Sequence, residues 1–215
     1  MGVRSQTDRA QVFAALGDPL RLDIVDELVL SDRTPGELIQ KFEIPSALLA
    51  HHLDVLENAQ IIERIESSSD RRKRFIRLTE RNLPLLVASK YPKNIQFICR
   101  HNSARSQLAA AIWKKLVGTA ASSAGTDPAK TVHPLTFQIA KRHDLDLGLA
   151  IPRKYRPLSA HGRLEITVCD QSHDDLSMPL SRSHWSLPDP AEIGTITAFE
   201  QTYQELIKRI IPLAK

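Results

Sequence analysis

The sequence predicts two folded modules in series. A helical unit that ends in a β-hairpin occupies residues 1–84, and an α/β domain on a parallel sheet occupies residues 94–215, with a linker at 85–93. Three observations carry this reading. Two capped helices stand one tight turn apart, ahead of an alternating apolar hairpin. An apolar strand, Asn94–Ile98, runs directly into a polar loop and then an Ala- and Leu-rich helix. A further apolar strand, Leu164–Val168, follows in the same half, which is the arrangement that builds a parallel sheet.

Composition is that of a globular chain, 42% apolar and 25% charged over 215 residues. Two cysteines, Cys99 and Cys169, exclude a disulfide scaffold and a Cys-rich zinc module. No apolar run is long enough to cross a bilayer. The start, Met1-Gly2-Val3-Arg4-Ser5-Gln6, lacks a signal-peptide core, and Gln6 departs from the myristoylation pattern. The expectation is a cytoplasmic protein with no membrane partner, in a reducing compartment where a lone thiol serves chemistry more often than structure. Residues 1–83 carry 12 Lys and Arg against 14 Asp and Glu (net −2), and residues 84–215 carry 17 against 11 (net +6). The second half therefore favours anionic ligands.

In the first half, Asp18-Pro19 opens a helix, since Asp caps and Pro suits the first turn. Leu20, Ile24, Val25 and Leu28 follow at helical spacing. Thr34-Pro35-Gly36-Glu37 begins a second, short helix, with Glu37 placed for a capping box. The turn Glu43-Ile44-Pro45-Ser46 leads into a third helix through Leu48, Leu49, His52, Leu53 and Leu56. Ile61–Ile65 and Phe75–Leu78 then read as strands around the polar tip Ser67–Arg74. Helix, turn, helix and hairpin together make a winged helix-turn-helix. His51 and His52 are adjacent on a helix and diverge by about 100°, so packing and a backbone contact suit them better than a shared metal.

Leu16-Gly17-Asp18-Pro19-Leu20-Arg21-Leu22 and Ala50-His51-His52-Leu53-Asp54-Val55-Leu56 resemble the ArsR-type winged-helix repressors over residues 8–82. The resemblance implies a homodimer on DNA, with the second helix of the motif in the major groove and the wing near the phosphates. Two departures stand out. The Cys-x-Cys trigger of that family is absent from the corresponding stretch, Gly36-Glu37-Leu38-Ile39. Positions where relatives carry polar base readers hold Ala47, Leu48 and Ala50, which leaves Ser46 and His51 as candidate readers and Arg71, Arg72, Lys73 and Arg74 as candidate phosphate contacts.

The second half turns on Cys99-Arg100-His101-Asn102-Ser103-Ala104-Arg105-Ser106. With 18 arginines in the chain, Arg falls six positions after a given cysteine about 8% of the time, so the spacing needs context. The context is a strand before, a serine after and a helix, Gln107–Val117, immediately following. Such a loop directs successive amides into one concavity suited to a tetrahedral oxyanion. Arg105 adds a planar fork of donors, and the same field favours a nucleophilic Cys99 thiolate. Downstream, Asp189 stands between Pro188 and Pro190, braced to act as a general acid.

The loop together with His184-Trp185-Ser186-Leu187-Pro188-Asp189-Pro190 resembles the low-molecular-weight protein tyrosine phosphatase superfamily, and within it the arsenate reductase branch, over residues 93–214. The resemblance implies a three-layer α/β/α domain with strands near 94–98, 119–124 and 164–169 and helices near 107–117, 133–144 and 195–212. It implies that Cys99 attacks the oxyanion, Arg105 binds it and Asp189 protonates the departing oxygen. Asn102 shapes the loop, Ser106 hydrogen-bonds the sulfur, and Arg100, His101, Ser103 and Ala104 supply backbone donors. Phosphatases of the family continue Asp-Pro-Tyr, whereas Ala191 follows here, which weighs against phosphotyrosine. Cys169 occupies the place of a second relay cysteine, and Leu176 stands where a third belongs. No bound cofactor is expected. Electrons are expected from an external thiol of the mycothiol, glutathione or thioredoxin type, either through a Cys99–Cys169 disulfide or by direct attack on the Cys99 adduct. The ligand is arsenate or phosphate. A regulator whose second half only senses an oxyanion or redox signal, and a tyrosine phosphatase, are the alternatives.

Overall fold

A computed structural model describes residues 6–79, 94–157, 163–176 and 179–214. The chain divides into two compact units, residues 1–88 and 89–215.

The first unit holds helices α1 (Gln6–Leu16), α2 (Pro19–Leu30), α3 (Pro35–Phe42) and α4 (Ser46–Asn58), then strands β1 (Ile62–Glu66) and β2 (Arg74–Leu78). Asp18 caps α2 by accepting the Arg21 amide at 3.0 Å. Thr34 and Glu37 form a full capping box on α3, with bonds of 3.2 and 2.7 Å. Thr34→Ala should therefore cost about 1 kcal/mol, measurable as a lowered urea midpoint with an unchanged slope. Glu43, at φ 53°, ends α3 in the left-handed region and turns the chain into α4. Leu49, Leu53 and Leu56 of α4 lie in one core with Ile24, Val25 and Leu38. His52 faces that core 3.8 Å from Asp18, whereas His51 is exposed, and contrary to the expected divergence the two rings meet edge to face at 5.6 Å between centroids. β1 and β2 pair antiparallel, and Arg33 bridges to Ile76 beside them. Helix α1 has no counterpart in the sequence reading; only Val12 and Ala15 of it are deeply buried, too few for a periodic signal. The expected helix at 81–90 lies outside the described residues.

The second unit is an α/β domain. Its strands are β3 (Asn94–Cys99), β4 (Ala121–Gly125), β5 (Arg163–Thr167) and β6 (Ser183–His184). They form one parallel sheet in the order β4-β3-β5-β6. The helices are α5 (Arg105–Val117), α6 (Pro134–Arg142), α7 (Asp170–Asp175), α8 (Pro190–Ile193) and α9 (Ile196–Ile210). α5 packs on β3 and β4, and α9 packs on α5. Phe97 joins these layers through an edge contact with Trp113 and a tilted contact with Trp185, at 6.1 and 5.7 Å between centroids. On the opposite face, Ile98 and Ala124 pack with Tyr155, and α7 lies against β3 and β5. β3 is first in sequence yet central, with its successors on either side. The carboxyl end of β3 is therefore the switch point where parallel sheets open a ligand crevice, and Cys99 stands there.

Three details correct the expectation. α5 begins at Arg105 rather than Gln107, so the loop is shorter and its Arg and Ser sit in the first helical turn. β5 ends at Thr167, so Cys169 does not close a strand; its side chain caps α7 by accepting the Ser172 amide. A fourth strand, β6, adds to the expected three; two residues are too few to show alternation in the sequence. Among the described residues no helix is long and apolar enough to cross a membrane.

Candidate active site

The loop after β3 owes its shape to bonds made by its carbonyls. Thr126 donates its amide to the Cys99 carbonyl at 3.1 Å, Asp127 to Arg100 at 2.8 Å, and Ala129 to His101 at 2.9 Å. The Gln107 side chain donates to the Asn102 carbonyl at 3.1 Å. The Ser103 carbonyl takes the His133 amide at 3.0 Å and the Thr136 hydroxyl at 2.8 Å. Five successive carbonyls are thus drawn outward, which leaves the loop amides to line the inner side.

Asn102 is the pivot of this loop. It adopts φ 49°, a conformation that Asn tolerates better than most residues. Its Oδ1 accepts the Arg153 amide at 2.9 Å and the Gln107 side chain at 3.2 Å. Its Nδ2 donates to Ser106 Oγ at 2.7 Å, which leaves the Ser106 proton to point at Cys99 Sγ, 3.0 Å away. The Asn102 amide donates to the same sulfur at 3.1 Å. Cys99 Sγ therefore collects two donors inside a buried cup.

Arg105 is 5% exposed and bridges to the loop after β6. It donates to the Leu187 carbonyl at 2.9 Å and forms an ion pair with Asp189 at 2.5 Å. Its Nε is buried and has no hydrogen-bond partner among the described residues. A buried donor with no acceptor is costly, so this atom marks where an acceptor belongs. Burial works against the Arg105 charge, but Cys169, Cys99, Asp189 and Asp170 outweigh it and hold the guanidinium protonated. Asp189 also caps α8 through the Ala191 amide at 3.0 Å. An oxyanion on Arg105 competes with this carboxylate for the same fork.

The expected residues converge, with one reassignment. Cys99, Asn102 and Ser106 are joined by hydrogen bonds, Arg105 of the same segment pairs with Asp189, and Cys169 accepts the Arg100 amide beside them. The Arg100 amide is directed at Cys169 Sγ at 3.2 Å and is not free for an oxyanion. The Arg100 side chain points outward, 3.6 Å from Asp127, and His101 Nδ1 lies 3.0 Å from the Asp127 carbonyl. Burial pushes the Cys169 thiol above the ordinary cysteine range; Arg105 opposes this and Cys99 adds to it. Cys169 should stay protonated at neutral pH, and its iodoacetamide labelling in native protein should be far slower than that of a free thiol until pH rises well above 9. The same shift favours the folded state below the unfolded thiol pKa, and that contribution is lost as pH climbs through the raised value.

Two features are absent from the sequence reading. Gly125 is required because a Cβ there would lie 2.6 Å from the Arg100 carbonyl oxygen and 3.1 Å from Asn102. A glycine at a strand end was the available hint. The second is a fully buried pair in which His184 Nε2 lies 3.1 Å from Asp170 and Nδ1 lies 2.9 Å from the Thr167 hydroxyl. It fastens β6 to the Cys169 turn, and only the topology brings its members together.

Of the four wing cations, Arg71, Arg72 and Arg74 are exposed, Arg72 paired with Asp70. Lys73 is half-buried, and Arg74 folds back on the Arg71 carbonyl at 2.5 Å and toward Glu66 at 3.5 Å. Ser46 and His51 are exposed on α4.

Comparison with known proteins agrees with both units. Residues 18–64 match the bacterial regulatory protein, arsR family, and residues 94–215 match low molecular weight phosphotyrosine protein phosphatase. The chain is 39% identical over 62 residues to the transcriptional repressor SdpR of Bacillus subtilis, covering 29% of this chain and 62% of that protein. The chain thus spans about three fifths of that repressor's length. It is 29% identical over 134 residues to an arsenate reductase of Oceanobacillus iheyensis, covering 57% of this chain and 96% of the relative. Among solved structures, the tyrosine phosphatase Wzb of Escherichia coli K30 with sulphate superposes with a TM-score of 0.52 at 19% identity, over 57% of this chain and 96% of that one. The chain belongs to the low molecular weight phosphotyrosine protein phosphatase family, and its residues 18–64, ahead of that domain, match the arsR family model.

Proposed function

We propose that the second unit reduces arsenate to arsenite at Cys99 with electrons from an external thiol, and that the first unit is a dimeric DNA-binding regulator. The observation that carries the reductase reading is the second sulfur: Cys169 Sγ accepts the amide of the residue next to Cys99. Cys99 attacks arsenic as thiolate and displaces one oxygen as water, with Asp189 supplying a proton. Arg105 and the loop amides of His101, Ser103 and Ala104 hold the remaining oxygens. A second thiol, Cys169 or an external small thiol, then attacks the Cys99 sulfur. The S–As bond breaks, its electron pair stays on arsenic as arsenite, and a disulfide remains for the reductant to open. Cys169 needs its proton removed before it can attack, which suits a resolving thiol held in reserve.

Purified protein with arsenate and either thioredoxin, glutathione or mycothiol should release arsenite in proportion to thiol oxidised. Hydrolysis of an aryl phosphate with no arsenite from any of the three would assign a phosphatase instead. A second reading makes the phosphatase-like unit a sensor. It is favoured by the absence of cysteine from residues 1–98, which leaves the regulator with no thiol trigger of its own. Under that reading, arsenate or oxidant shifts DNA affinity and Cys99→Ser abolishes the shift.

A further inference from the structure

We infer that α4 reads thymine methyl groups, so that the DNA site of the first unit carries thymines beneath this helix. The inference rests on the DNA-binding reading above. In a helix-turn-helix, the first turns of the second helix reach base edges. Here the buried stripe of α4 is Leu49, His52, Leu53 and Leu56, and the exposed face over the first two turns is Ser46, Ala47, Leu48, Ala50 and His51. Leu48 is 42% exposed, whereas its neighbour Leu49 is buried in the core. This face has no Arg, Lys, Asn or Gln to make a two-pronged bond to guanine or adenine. What it offers is small apolar surface, and thymine is the base whose major-groove edge carries a methyl.

Residues 1–83 carry a net charge of −2, so contact with phosphate falls to local cations rather than to the charge of the unit. The two acidic residues of α4, Asp54 and Glu57, are both engaged by Arg64, at 2.7 and 3.0 Å, which offsets part of their repulsion of phosphate. Arg71 and Arg72 stand exposed on the wing. Phosphate contacts from these cations position the unit, and methyl contacts from α4 carry most of the base selectivity.

The test selects duplexes from a random 30-base-pair pool with the full-length protein, then compares the recovered duplex with a copy in which thymine is replaced by deoxyuridine. That change removes the methyl and leaves every hydrogen-bonding group in place. Affinity should fall about fourfold for each contacted methyl, the share of one buried methylene-sized group. Leu48→Gln should reduce the ratio between the two duplexes. Equal binding of both duplexes, with selection otherwise successful, overturns the inference and spares the DNA-binding reading. Recovery of no sequence overturns both. A Leu48→Gln protein whose oligomeric state changes without DNA would make this face a protein interface and also overturn it.

Discussion

Cys99→Ser is expected to lower turnover by on the order of 10⁴-fold or more while oxyanion binding survives. Serine keeps the volume and accepts the Asn102 amide and the Ser106 hydroxyl, so the cup remains; what disappears is the sulfur proposed to bond arsenic. Arg105→Ala should lose both properties. It removes the fork with the vacant Nε and leaves Asp189 without the cation it pairs with at 2.5 Å. Calorimetric titration with phosphate beside steady-state arsenite release separates the two variants. Turnover by Cys99→Ser, or unchanged phosphate affinity in Arg105→Ala, would remove the site from the chemistry.

Gly125→Ala is expected to damage the same loop from outside the motif. The added methyl meets the Arg100 carbonyl oxygen at 2.6 Å, a backbone contact that no rotamer relieves. Retreat is blocked on the other side, because Gly125 donates to the Arg153 carbonyl at 2.8 Å and accepts the Tyr155 amide at 2.7 Å. Overpacking of this kind costs about 1–3 kcal/mol, and a displacement of the loop by about 1 Å can cost about 10²-fold in rate. Thermal melts and arsenite release on one preparation test the claim. A variant with wild-type rate and melting temperature would show that the loop is softer than its bonding implies.

The sequence displayed what is local. Capping at Asp18 and Thr34, the apolar stripe of α4, and the strand, loop and helix around Cys99 all follow from spacing within about ten residues, and the structure bears them out. Asp189 was legible because two prolines flag it, although its bond to Arg105 spans 84 positions. The environment of Cys169 was not legible, because a six-residue polar helix shows no periodicity and the amide it accepts lies 69 positions away. The bonds from Thr126–Thr136 to the loop were hidden for a different reason. They run mostly from backbone to backbone, so no side-chain motif records them.

Those outside bonds bear on any attempt to move the chemistry elsewhere. An eight-residue graft onto a foreign strand and helix would carry the reactive groups but not the mould that bends them into a receptor. The transferable piece starts at β3 and must reach past Thr136 to Arg153 and Asp189, and shortening or padding the stretch between Thr126 and His133 should disarm Cys99 by loosening the bonds to the loop carbonyls.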